Sequence, residues 1–134
     1  MERYLLDTSA LLALRDGEPG ADQVADLLVQ SATGQVTCHG CFITLMEVLY
    51  RVWKDEGETA GRDAYANCLD LPIAWQHESP ELLKRAAATK AQHPLSLADA
   101  WIAAAALEQD AVLIHKDPEF AGLPGLRELR LPYR

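Results

Sequence analysis

The sequence has little of what would place it outside the cell or in a membrane. Its cysteines, Cys38, Cys41 and Cys68, are odd in number and too sparse for a disulfide scaffold, so they read as thiols in a reducing compartment. No apolar run approaches the ~18 residues of a membrane span, and residues 1–7 have neither the length nor the cleavage site of a signal peptide. The expected location is the cytoplasm, with no membrane partner. Basic residues are also scarce. Twelve Lys and Arg against twenty Asp and Glu give a net charge of −8, which excludes the broad basic face that usually marks nucleic-acid binding. Internal repeats, low-complexity tracts and a Gly-rich loop able to cradle phosphate are absent too.

What is present suits one compact domain over 1–134. With 134 residues, 49% of them hydrophobic, the chain can bury roughly two thirds of its unfolded surface. A short apolar strand is expected over 3–6, running into Asp7-Thr8-Ser9 and the first helical turns at 10–14. After the breaker Asp16-Gly17-Glu18-Pro19-Gly20, Val24, Leu27 and Leu28 recur at helical spacing up to Gly34, and a strand follows at 35–38. A longer amphipathic helix is expected over 44–56, with Met46, Leu49, Tyr50 and Trp53 on one face. A second helical stretch covers 58–71 and a short strand 73–75. Ser79-Pro80 opens a helix that runs from 81 to the break at His93-Pro94. Ser96 caps a helix over 97–108 whose four consecutive alanines suit close packing, and strands are expected at 111–114 and 126–131. Short apolar strands alternating with helices predict the α/β class, a mostly parallel sheet covered on both faces.

Ligands of such sheets bind beyond the carboxyl ends of the strands. Asp7 closes the first strand and Asp117 lies just past the strand at 111–114, so both belong to that edge. Glu47 and Asp99 are each expected in the first turn of a helix leaving the same edge. Four carboxylates need a reason to gather, because two unit charges ~4 Å apart repel by about 4 kcal/mol at an effective dielectric near 20. A divalent cation supplies one. Oxygen-only ligation points to Mg2+ or Mn2+, which accept a few carboxylates and keep positions for water and phosphate. Such a cation also inverts the local charge that a phosphate would meet. The competing reading is local: Thr44-Leu45-Met46-Glu47 and Ser96-Leu97-Ala98-Asp99 both fit the capping-box spacing, Asp7 could be an N-cap, and Asp117 beside Pro118 could be a turn residue.

Taken together, four spaced segments resemble a known family. They are Tyr4-Leu5-Leu6-Asp7-Thr8-Ser9-Ala10-Leu11-Leu12, Ile43-Thr44-Leu45-Met46-Glu47-Val48-Leu49, Leu95-Ser96-Leu97-Ala98-Asp99-Ala100-Trp101-Ile102-Ala103-Ala104 and His115-Lys116-Asp117-Pro118-Glu119-Phe120. In order and spacing the chain resembles the PIN-domain ribonucleases, in particular the VapC-type toxins of bacterial toxin-antitoxin pairs. The resemblance implies a three-layer α/β/α fold with an about five-stranded, mostly parallel sheet. It implies a magnesium-dependent endoribonuclease in which metal-activated water attacks the scissile phosphate. Asp7, Glu47, Asp99 and Asp117 would form the acidic quartet, with Asp7 and Asp99 the direct ligands, and Glu47 and Asp117 orienting water or a second metal. Thr8 would support the first acid. The expected partners are an RNA substrate, a cognate antitoxin and a second copy of the chain.

The last segment departs from the family pattern, since His115 stands where a small hydroxyl residue is usual. That histidine could hydrogen-bond a site carboxylate or contact RNA, although an isolated histidine at a strand end is more often structural. Glu119 is a candidate substitute or helper for Asp117, and Lys116 could help position a phosphate. The alternative function is a PIN-like module without cleavage that binds RNA or protein. A phosphatase or receiver fold is disfavoured, because Asp7-Thr8-Ser9 lacks the second nearby acid of such phosphatases. Cys38-His39-Gly40-Cys41 lacks the second ligand pair that a structural zinc requires. Arg127, Arg130 and Arg134 read as the charged protection of an edge strand.

Overall fold

The computed structural model describes every residue except 117 and 134. In chain order it contains β1 (Arg3–Leu6), α1 (Thr8–Asp16), α2 (Ala21–Ala32), β2 (Thr37–Cys41), α3 (Phe42–Glu56), α4 (Glu58–Asp70), β3 (Ala74–Gln76), α5 (Pro80–Gln92), α6 (Leu97–Glu108), β4 (Val112–His115), a 3-10 turn (Pro118–Phe120) and β5 (Glu128–Arg130). The five strands form one sheet in the order β3-β2-β1-β4-β5, and every pairing is parallel. Among the described residues, no helix is long and apolar enough to cross a membrane.

Period-two alternation in the strands produces two separate cores. Leu5, Cys41 and Leu113 face one side of the sheet, where they meet Leu82 and Ala86 of α5 and the fully buried run Ala103 to Ala106 of α6. Leu6, Cys38 and Ile114 face the other side and pack with α1, α2, α3 and α4. A strand buried on both faces must be apolar throughout, which is why these segments read as short hydrophobic runs. On the second side, α4 crosses α3 at Gly61, where a Cβ would come within 2.8 Å of Leu49 O and Trp53 Cβ.

Three local expectations change. First, β2 begins at Thr37 instead of 35, because Gln35 and Val36 still donate to Gln30 O at the end of α2 after Gly34 adopts a left-handed conformation. Second, α3 starts directly off β2, with Cys41 both ending the strand and occupying the N-cap position without a side-chain bond. Thr44 therefore lies inside the helix and Glu47 in its second turn, so the expected first-turn placement and the capping box at 44–47 are not formed. Third, the core face of α3 is Leu45, Val48 and Val52, whereas Met46, Tyr50 and Trp53 are 61%, 45% and 44% exposed. Periodicity revealed an apolar stripe on this helix, but the helix carries two.

Candidate functional site

The carboxyl end of β1 is where the chain assembles its polar cluster. Asp7 N donates to Ile114 O at 3.1 Å, which fixes the end of β1 against β4, and Asp7 then becomes the N-cap of α1. Its Oδ1 accepts from Ala10 N at 3.0 Å and from the Ser9 hydroxyl at 2.6 Å. Ser9 Oγ in turn accepts from Lys116 N at 3.0 Å, so the segment leaving β4 is pinned beside Asp7. Among the described residues the hydrogen bonds to the Asp7 carboxyl go to Oδ1, which leaves Oδ2 available. The carboxyl is almost wholly buried, and desolvation raises its pKa from 3.8 to about 6. The bonds from Ser9 and Ala10 and the His115 charge oppose that rise, while the nearby Glu47 charge adds to it.

Glu47 reaches the same cluster from α3. Thr8 Oγ1 donates to Glu47 Oε1 at 2.7 Å and lies 3.1 Å from Thr44 Oγ1, with Thr44 fully buried. The other oxygen, Oε2, accepts from Arg51 at 3.1 Å, one helical turn further along α3. Thr8, expected to support the first acid, instead bridges α1 to α3 through the Glu47 carboxylate.

Asp99 arrives by the route its capping pattern predicts. Ser96 is the N-cap of α6 and accepts from Asp99 N at 3.1 Å, placing Asp99 in the first turn. Two residues on, Trp101 meets Phe42 edge-on with ring centroids 5.0 Å apart. Phe42 is the first residue of α3, so this contact sets the start of α6 at the edge where β2 hands over to α3. Asp99 is half-buried there. Asp117 lies outside the described residues.

The neighbours of Asp117 in sequence divide between roles. His115 is 1% exposed, its Nε2 is 2.8 Å from Glu128 Oε1 on β5, and its ring packs edge-on against Phe120 at 5.0 Å. These contacts tie β4 to β5 and the following turn. Lys116 is buried, with Nζ 3.6 Å from Glu18 Oε1. Glu119 sits exposed in the 3-10 turn. At the opposite end of the sheet Arg127 bonds Asp110 O at 2.6 Å and Glu2 Oε1 at 3.1 Å, consistent with an edge-strand role. Cys38 and Cys41 belong to opposite cores, so they cannot converge on one zinc ion. All three cysteines are free and buried, and burial pushes the Cys41 thiol up to about 11.

Two members of the cluster escaped sequence reasoning. Ser9 carried a signal, a hydroxyl two residues after an N-capping acid. Arg51 carried another, the i,i+4 spacing from Glu47. Neither stands out until the fold shows that both bonded carboxylates are buried.

The donor chemistry of this edge fits a hard divalent cation: every candidate ligand is a carboxylate, and the desolvated Asp7 is a group whose charge a cation would restore. Among the described residues, however, no three His, Cys, Asp or Glu side chains are grouped as a metal site. Asp7 and Glu47 adjoin through Thr8, and Asp99 begins α6 at the same edge of the sheet.

Comparison with known proteins places this geometry. No curated protein matches the chain. Among solved structures, VapBC2 from Rickettsia felis bound to a DNA fragment from its promoter aligns over 97% of this chain and 99% of that one, with a TM-score of 0.79 at 19% identity. A toxin-antitoxin complex from Klebsiella pneumoniae aligns over 92% and 94%, with a TM-score of 0.66 at 27% identity. Mycobacterium tuberculosis VapC20, a sarcin-ricin loop cleaving toxin, aligns over 92% and 98%, with a TM-score of 0.70 at 20% identity. The family model for the PIN domain matches residues 4–126, from the start of β1 to just before β5, and the chain belongs to the PIN domain family.

Proposed function

We propose that the protein is a metal-dependent endoribonuclease that serves as the toxin of a toxin-antitoxin pair. The observation that carries this reading is the buried junction of Asp7, Thr8 and Glu47 at the carboxyl edge of a parallel sheet. A carboxylate with a pKa of about 6, one oxygen held by Ser9 and Ala10 and the other available, is poised to receive a cation in place of a proton. Asp7 and Asp99 would hold Mg2+ or Mn2+, with Glu47 and Asp117 assisting. When bound, such an ion supplies water activation and neutralises charge at a phosphodiester. The protein's own contributions are positional: Ser9 and Ala10 fix the Asp7 carboxyl, Thr8 fixes Glu47, and the Phe42 contact with Trp101 fixes the start of α6.

The Klebsiella relative is part of a toxin-antitoxin complex, which supports an antitoxin partner for this chain. An arginine from such a partner would form charge-assisted bonds with the same carboxylates. The exposed Met46, Tyr50 and Trp53 stripe of α3 is the surface we assign to pairing with a second copy. The whole chain would work as a single domain in the cytoplasm.

The test uses purified protein on mixed RNA with Mg2+, with chelator, and with Asp7→Asn or Asp99→Asn. Cleavage should require the ion and fall by about 100-fold or more in each variant. Cleavage that persists through both substitutions and chelation would overturn the mechanism. A second reading, a PIN-like binding module without cleavage, rests on His115 standing where the family usually has a small hydroxyl residue. It predicts no cleavage by the wild type and RNA binding that Asp7→Asn leaves unchanged.

A further inference from the structure

The carboxylate edge is accompanied by a cation that no motif announces. Arg51 Nη2 lies 3.1 Å from Glu47 Oε2, and the side chains of the pair are 45% and 12% exposed. One end of this ion pair is in the buried cluster and the other is in solvent. A guanidinium stays charged in such a setting. The other nearby cations are committed elsewhere. Lys116 is buried beside Glu18, and Arg15, at the far end of α1, binds Asp16 and Glu56.

A phosphodiester approaching this edge meets Asp7, Glu47 and Asp99 on a chain of net charge −8. It needs a positive group with access to both the site and the solvent. A guanidinium carries five N–H donors in a planar fork matched to phosphate oxygens, and its Nη2 bonds Glu47. We propose that Arg51 is a phosphate-binding residue, holding an RNA backbone phosphate at the mouth of the carboxylate site and sharing its fork between Glu47 and that phosphate. This rests on the nuclease reading above. The contrasting role, a helix-surface pair, stabilises the helix slightly and touches no substrate.

The experiment measures fluorescence anisotropy of a labelled, phosphorothioate-linked single-stranded RNA with Mg2+ across a range of potassium chloride concentrations, with probe integrity checked on a gel. Wild type, Arg51→Ala, Arg51→Gln and Arg51→Lys are compared, with thermal melting as a folding control. Loss of one phosphate contact should weaken binding by about tenfold and flatten the plot of log affinity against log salt by about 0.7 in the Ala and Gln variants. Arg51→Lys should recover the salt slope but only part of the affinity, since lysine keeps the charge and loses the fork. Folded Ala or Gln variants that match the wild type in affinity and slope would overturn the role of Arg51 and leave the nuclease reading intact. Absence of RNA binding by the wild type itself would overturn both.

Discussion

The starts of α3 and α6 carry the same short pattern, a hydroxyl followed three residues later by an acid, and use it in opposite ways. At α6 the hydroxyl is a cap: Ser96 binds the Asp99 backbone and the acid stays half-buried in the first turn. At α3 the helix begins two residues earlier, so Thr44 is buried in the first turn and its hydroxyl meets Thr8 from another element. Glu47 is carried into the second turn, where Thr8 and Arg51 bind its two oxygens. The difference teaches that where a helix starts relative to its strand decides whether an acid serves the helix locally or joins a cluster. β2 has no loop before α3, and this is what turns Glu47 inward.

The contrast can be broken from either side. The larger effect is expected from Thr8→Val, which keeps side-chain shape but deprives buried Glu47 of its 2.7 Å donor. Unfolding by urea should show a loss of about 1–3 kcal/mol, together with a fall in RNA cleavage. A loss no greater than that of a surface substitution would mean that Thr8 does not hold Glu47. The smaller effect is expected from Ser96→Ala, which removes only a cap and should cost about 1 kcal/mol. Cleavage at a temperature where the variant stays folded should change little, since Asp99 retains its carboxylate. If Ser96→Ala instead abolished cleavage without a stability loss, Ser96 would have a role beyond the helix.

Much of this architecture is legible in the sequence, because strands buried on both faces leave short apolar runs and helix starts leave Ser or Pro signals. The edge that Asp7, Glu47 and Asp99 share follows from the same alternation of strand and helix. What stayed hidden depends on tertiary placement. That the Met46, Tyr50 and Trp53 stripe is exposed was not readable, because hydrophobic periodicity identifies a stripe and not its partner. The surroundings of His115 were hidden because Glu128, on β5, and Phe120, in the turn after β4, meet its ring only in the fold. Arg51 carries only its i,i+4 spacing from Glu47, and nothing in the sequence shows that this acid is buried.

The Asp7 corner holds a carboxyl whose charged form is disfavoured by burial. The folded pKa of about 6 lies above the reference value of 3.8, so the native state binds this proton more tightly than the unfolded chain does. Asp7 therefore favours the fold most below pH ~4, and stability falls by about 3 kcal/mol as pH rises through 6. The most direct measurement is thermal melting from acid to neutral pH, with and without Mn2+, for wild type and Asp7→Asn. The account predicts that Mn2+ raises the melting temperature of the wild type at neutral pH and hardly at acid pH. Asp7→Asn should melt higher than wild type without metal and should not respond to Mn2+. Equal Mn2+ shifts in the two proteins, or no shift in either, would contradict it.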